Sequence, residues 1–245
     1  MARTARKLSE LGYYHLIVRG IGKQILFEEH SDYLHYLSLL KRFSKETGVT
    51  ICAFCLMENH VHLLAYDPEQ KIPLLMKKMG VSYSAYFNKK YERTGHLFQD
   101  RYLSEPIESE AYLLTVFRYI LNNPQKAGIC AADAYEWSSY KLYGSNSSFV
   151  DTSAFVELIG DKAAYAAYIA AKNEDICMDV HQPKIGDKNA KTLLGDLLDV
   201  ESGTVLQSVD RDKRDKAIKI LLENGMTIRQ IERLTGISRG IIQRL

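Results

Sequence analysis

Two apolar runs, Val49 to Met57 and His60 to Tyr66, are separated only by Glu58 and Asn59. So short a connection leaves no room for a crossover, and the runs must pair as an antiparallel hairpin. A strand points successive side chains to opposite faces, so His60 and His62 emerge together while Val61 and Leu63 point the other way. Two neutral imidazoles one strand period apart suit a divalent metal, because they converge on one ion with little ordering cost beyond the strand itself. A polar, solvated strand face would have the same pattern. His-x-His therefore decides nothing without further ligands.

The flanking segments give the hairpin its setting. Tyr13 to Arg19, rich in aromatic and β-branched residues and followed by Gly20 and Gly22, reads as a first strand. Ser31 or Asp32 caps a helix on which Leu34, Leu37, Leu40 and Phe43 recur, and Gly48 ends it. Beyond Pro68 and Pro73, a helix is expected from Leu74 to Lys90, bent near Gly80. Gly95 to Glu105 reads as a loop, Pro106 to Glu108 as a short strand, and Ser109 as the cap of a helix from Glu110 to Asn122. The order β-α-β-β-α-β-α predicts an α+β fold: a ferredoxin-like antiparallel sheet with helices on one face.

On the last of these helices, Leu113, Val116, Phe117 and Ile120 form an apolar stripe, and Tyr119 and Asn123 stand four apart, so both can project to one side. A tyrosine hydroxyl and an amide oxygen would then lie together. A packing tyrosine and an asparagine that stops a helix before Pro124 would look the same.

The chain has 245 residues and a net charge of +2, but the charge is unevenly spread. Lys and Arg against Asp and Glu count 18 to 15 over residues 1–144, 5 to 11 over 145–210, and 9 to 4 over 211–245, giving +3, −6 and +5. Two basic regions flanking an acidic connector suit a nucleic-acid binder with two contact regions, although exposed charged faces explain each patch equally. The four cysteines are too few and scattered for a disulfide framework, and the Cys52-x-x-Cys55 pair is expected to pack in the core. No apolar run reaches the roughly 20 residues of a membrane span, and no apolar segment follows the basic Met1 to Lys7. A cytoplasmic protein without a signal peptide is expected.

Three segments together resemble a known family. Glu58-Asn59-His60-Val61-His62-Leu63, Gly95-His96-Leu97-Phe98-Gln99-Asp100-Arg101-Tyr102, and Arg118-Tyr119-Ile120-Leu121-Asn122-Asn123-Pro124-Gln125-Lys126-Ala127-Gly128 are similar to the motifs of the single-tyrosine HUH transposases. The resemblance spans roughly residues 8–145 and is greatest to the REP-associated tyrosine transposases. It implies that His60 and His62 bind Mg²⁺ or Mn²⁺, that Tyr119 is the nucleophile, and that Asn123, or Asn122 in its place, is the third ligand. The implied reaction is metal-dependent cleavage and strand transfer at or near DNA hairpins through a 5′-phosphotyrosine. The implied partner is single-stranded or hairpin DNA, and the implied state is monomer or homodimer. Candidate DNA contacts are Arg3, Arg6, Lys7, Arg19, Lys89, Lys90, Gln99 and Arg101, with Tyr83, Tyr86 and Phe98 available to stack on bases. Two competing readings are a catalytically silent hairpin or operator binder and a metallohydrolase, the latter lacking an acidic ligand.

Three regions are expected: a nuclease domain over 1–148, a helical connector over 149–186, and a helix-turn-helix-like region over 187–245. In the last, Asp212 to Glu223 is one helix, closed by Asn224-Gly225. Thr227 caps Ile228 to Leu234, Gly236 turns the chain, and Ser238 caps a helix through Leu245. Ile228, Ile231, Leu234, Ile237 and Ile241 would pin the helices together, leaving Arg239, Gln243 and Arg244 for a DNA groove. A plain helical bundle fits the same pattern.

Overall fold

The computed structural model of the chain describes residues 6–145, 149–173, 175, 177–178, 187–198, 200, 203–223, 226 and 228–244. They fall into two compact units, Met1–Val180 and His181–Leu245.

In the first unit, strands β1 (Tyr13–Arg19), β2 (Thr50–Met57), β3 (His60–Tyr66) and β4 (Leu103–Ile107) form one antiparallel sheet in the order β2-β3-β1-β4. The Glu58-Asn59 turn closes the hairpin with Met57 opposite His60. The sheet order is the ferredoxin-like one that the element order predicts. Strand β4 starts earlier than expected, since Leu103 to Glu105 pair with β1 instead of ending a loop. Its proline, Pro106, is tolerated because β4 lies at the sheet edge.

Helices α1 (His30–Thr47) and α2 (Ile72–Lys90) cover one face, where Leu16, Val18, Val61 and Leu63 meet Tyr36, Leu40, Met79 and Tyr83. Helix α3 (Glu110–Leu121) covers the opposite face, packing Leu113, Val116, Phe117 and Ile120 with Cys55, Met57 and Leu64. The expectation of helices on one face thus holds for α1 and α2 and fails for α3. The reason is visible in β3: both of its faces are buried, so each has a covering layer. Cys52 and Cys55 are buried free thiols in the α3 layer, as expected of packing residues.

The cap of α1 is Glu29, and Asp32 stands at the third helical position of a capping box. Leu34 is 52% exposed; the buried stripe is Tyr36, Leu39, Leu40 and Phe43, because a strict three-residue spacing drifts round a helix of 3.6 residues per turn. Asp32 is fully buried and accepts from the backbone amides of Glu28 and Glu29, the hydroxyls of Tyr86 and Tyr91, and Lys90 Nζ at 2.7 Å. Burial opposes its charge, but these bonds, led by that of Lys90, hold its carboxyl down at about 2. A depressed carboxylate stabilises the fold above its unfolded value and loses that contribution as pH falls through the folded one. Stability is therefore expected to drop between about pH 4 and pH 2, and Asp32→Ala to cost about 3 kcal/mol in urea denaturation at pH 7. An unchanged midpoint would show that the cluster contributes nothing net.

Gly80 does not bend α2, which is continuous. A Cβ built there meets nothing within 4 Å. Glycine in a helix interior costs about 0.5–1 kcal/mol relative to alanine, so Gly80→Ala is expected to raise the melting temperature by a few degrees in a thermal scan.

After α3 the chain does not leave helical geometry. Asn122 caps α3, and a further turn, α4 (Asn123–Lys126), carries Pro124 near its start, where the missing N–H is harmless. Helices α5 (Ser153–Ile159) and α6 (Lys162–Ala170) follow, and their Phe155, Tyr165 and Ile169 join the α3 core. Residues 149–170, expected as part of a connector, therefore belong to the first unit.

The second unit contains α7 (Asp187–Leu198), a 3-10 turn (Gly203–Gln207), α8 (Arg211–Glu223), α9 (Ile228–Thr235) and α10 (Arg239–Ile242) around Leu194, Leu206, Ile218, Leu221, Ile231 and Ile237. Gly236 turns the chain with φ of +72°, and a Cβ there would stand 2.1 Å from the Gln207 amide nitrogen, which donates to the Thr235 carbonyl. Helix α10 is a single turn ending at Ile242, so the last helix is shorter than expected. The expected signals at Thr227 and Asn224-Gly225 lie outside the described residues.

Candidate active site

The layer between α3 and the sheet is where the singled-out residues meet. Odd-numbered β1 residues and even-numbered β3 residues face α3, so His60 and His62 point toward the tyrosine helix and away from α1 and α2. His62 is fully buried, and its ring centroid lies 5.0 Å from that of His60 and 5.9 Å from that of Tyr119. Tyr119 is 5% exposed, on the last turn of α3. The expected gathering of two histidines and a tyrosine is present in one chain.

Each imidazole has an orienting partner. His60 Nδ1 is 2.7 Å from Asn59 Oδ1, an acceptor, a contact that favours the tautomer with its proton on Nδ1 and its lone pair on Nε2. His62 Nδ1 lies 3.0 Å from His15 Nε2, and His15 Nδ1 is 3.7 Å from Glu105 Oε2. The register explains this chain of contacts: His15 stands directly opposite Glu105 on β4 and diagonal to His62 on β3. Burial opposes the charge of Glu105, yet its contacts with His15 and Tyr112 hold the carboxyl below the ordinary glutamate value. Sequence reasoning missed both residues. His15 was visible as the one imidazole in an apolar strand, but Glu105 was assigned to a loop, and nothing local joins β1 to β4.

The two asparagines separate clearly. Asn123 Nδ2 donates to the Tyr119 carbonyl at 3.0 Å, which ties this amide to the turn that bears the tyrosine. Asn122 Nδ2 donates to the Ile169 carbonyl on α6 at 2.8 Å. Among the described residues no group of three His, Cys, Asp or Glu could hold a metal, so a metal site at His60 and His62 would need a donor of another kind, such as an amide. Asn123 fits that need, and its chemistry, one amide oxygen with two imidazoles, suits Mg²⁺ or Mn²⁺ with positions left for phosphate and water. Lys126 adds a cation: its Nζ sits 4.2 Å from the Tyr119 ring centroid and donates to the Asp175 carbonyl. Arg118, next to the tyrosine, forms a two-point pair with Asp175 at 2.7 and 2.8 Å.

The DNA-contact candidates disperse. Lys7, Lys89, Gln99 and Arg101 are exposed, Arg6 and Arg19 are half-buried, and Arg3 lies outside the described residues. Lys90 is bound into the Asp32 cluster and pairs also with Glu29, so its role is structural first. Tyr83 is fully buried and donates to the Leu26 carbonyl, which rules out base stacking, and the Tyr86 hydroxyl is held by Asp32. A helical period places aromatics on a face without saying whether that face is covered. In the second unit Arg239 pairs with Glu232, and Arg244 donates to the Gly240 carbonyl and joins Arg211 and Arg214 around a cavity; Gln243 is exposed at the end of α10.

The buried His-x-His strand thus faces the tyrosine helix on one side of a ferredoxin-like sheet. Residues 9–123 match the family described as "Transposase IS200 like". The fold is similar to the structure of a REP-associated tyrosine transposase bound to a REP hairpin, with a TM-score of 0.51 and 13% identity, over 58% of this chain and 84% of that one. A crystal structure described as that of a transposase from Deinococcus radiodurans R1 matches 49% of this chain and 97% of that one, at 22% identity and a TM-score of 0.34. The comparison with curated proteins gives no match. Among the described residues no helix is long and apolar enough to cross a membrane.

Proposed function

We propose that the chain is a metal-dependent single-strand DNA endonuclease and strand transferase of the REP-associated branch, cleaving at or near DNA hairpins through Tyr119. The observation that carries this reading is the meeting of Tyr119, His60 and His62 in one layer. Hairpin DNA as partner is supported by the fold's likeness to a hairpin-bound transposase.

A divalent ion held by His60, His62 and Asn123 would polarise a non-bridging phosphate oxygen. The chain's own residues do the rest. The Tyr119 oxygen attacks phosphorus, forming the Tyr–O–P bond as the bond to the 3′ oxygen breaks; the phenolic proton leaves and the released strand takes one up as a 3′-hydroxyl. Lys126 places positive charge against the ring that must carry negative charge during attack. Asn59 and His15 fix the rotation of the two imidazoles, and Glu105 anchors His15. Tyrosine, with an ordinary pKa near 10, gains from each of these.

Covalent capture tests the reading: labelled hairpin DNA with Mn²⁺ should yield an SDS-stable adduct on this chain. A second measurement isolates the orienting role of His15. His15→Ala is expected to weaken Mn²⁺ binding about 10- to 100-fold in calorimetric titration, His15→Gln to recover part of it, and metal-free hairpin binding to stay unchanged in both. Equal Mn²⁺ affinity in His15→Ala would remove His15 from the site.

A further inference from the structure

On the face of the sheet away from the histidines, the end of β1, helix α2 and the segment from Phe98 to Tyr102 enclose a cavity of about 360 Å³, a size that ligand pockets occupy. Val18, Met76, Met79 and Phe98 give it apolar walls. Two observations separate it from a packing defect. Tyr36 and Tyr102 line it, and their buried hydroxyls have no hydrogen-bond partner among the described residues, a costly state that a polar occupant would relieve. Gly80 also lines it, in the middle of a helix where alanine would be more stable, and a Cβ there would meet only open space.

The rim is cationic. Arg6, Lys77 and Arg101 stand around the opening, with the Arg6 guanidinium 3.8 Å from the Tyr102 ring centroid. Asp100 is the acidic exception, and a carboxylate there can accept from the exocyclic amine of adenine, cytosine or guanine. An apolar slot with aromatic walls, unpaired hydroxyls and surrounding cations matches a flat heteroaromatic group flanked by phosphates. Three residues that the sequence marked separately as DNA contacts, Arg6, Phe98 and Arg101, converge here.

We propose that this cavity receives one unstacked nucleobase of bound single-stranded DNA, with adjacent phosphates on Arg6, Lys77 and Arg101, and that Gly80 keeps it open. The proposal rests on the DNA-binding reading above but not on cleavage. It locates a recognition site across the sheet from the chemistry, reached by strand flanking the hairpin.

The test uses the full chain in EDTA and a fluorescein-labelled hairpin carrying a short randomised single-stranded flank. Gly80→Leu, which places a side chain in the cavity, should bind this DNA at least about tenfold more weakly, whereas Gly80→Ala binds like the unsubstituted chain. An abasic nucleotide moved along the flank supplies a readout that needs no variant. One position should cost the unsubstituted chain about tenfold and cost Gly80→Leu nothing. Undiminished binding by Gly80→Leu, or a flank with no costly abasic position, overturns the pocket and leaves DNA binding standing. Failure of the unsubstituted chain to bind any hairpin overturns both.

Discussion

Tyr119→Phe is expected to form no SDS-stable adduct with labelled hairpin DNA in Mn²⁺, a loss of at least about 10³-fold in cleavage, while binding the same DNA in EDTA as tightly as the unsubstituted chain. The substitution removes one oxygen and keeps the ring that packs against His15 and His62 at centroid distances of 6.0 and 5.9 Å. Packing and fold should therefore survive, and the loss reads chemistry alone. An adduct of undiminished yield would transfer the nucleophile to another residue. Tight hairpin binding with no adduct on the unsubstituted chain, in either Mg²⁺ or Mn²⁺, would instead favour a silent hairpin binder.

His62→Ala is expected to abolish Mn²⁺-dependent cleavage to a similar extent and to eliminate measurable Mn²⁺ binding in calorimetry. Two consequences of burial distinguish it from His60→Ala. His62 is fully enclosed and bonded to His15, so its truncation leaves a cavity and strips His15 of a partner. A stability loss of about 1–3 kcal/mol should accompany the lost metal site. His60, bonded to the adjacent Asn59 at the hairpin turn, should lose metal binding with a smaller change in stability. Metal binding retained in both variants would sink the assignment of these imidazoles as ligands.

The pH range for such assays follows from the Asp32 cluster. Its carboxyl sits at about 2 in the fold, so the contribution it makes is complete at neutral pH and fades only in acid. Activity changes above pH 5 can then be read as site chemistry and not as unfolding of the α1–α2 layer.

How much of this was legible in the chain depends on the distance over which each rule acts. The hairpin, its register at Glu58-Asn59, the shared face of His60 and His62, the Ser109 cap and the four-residue spacing of Tyr119 and Asn123 are properties of single elements, and strand and helix periods of 2 and 3.6 determine them. The same periods do not say which face meets which. That α3 lies across the sheet from α1 and α2 follows from the burial of both faces of β3. The pairing of β1 with β4, a contact between residues ninety apart in sequence, brought Glu105 to His15 and so to His62. Tertiary packing likewise turned Asn122 to α6 and tied Asn123 to the Tyr119 turn, bound Lys90 into the Asp32 cluster, and took Tyr83 into the interior of the α1–α2 layer. Local chemistry nominated the tyrosine and the histidines, and the neighbouring Asn59 orients His60; only long-range contacts, whose loop-closure cost no short window of sequence reveals, supplied His15 and Glu105 to orient His62.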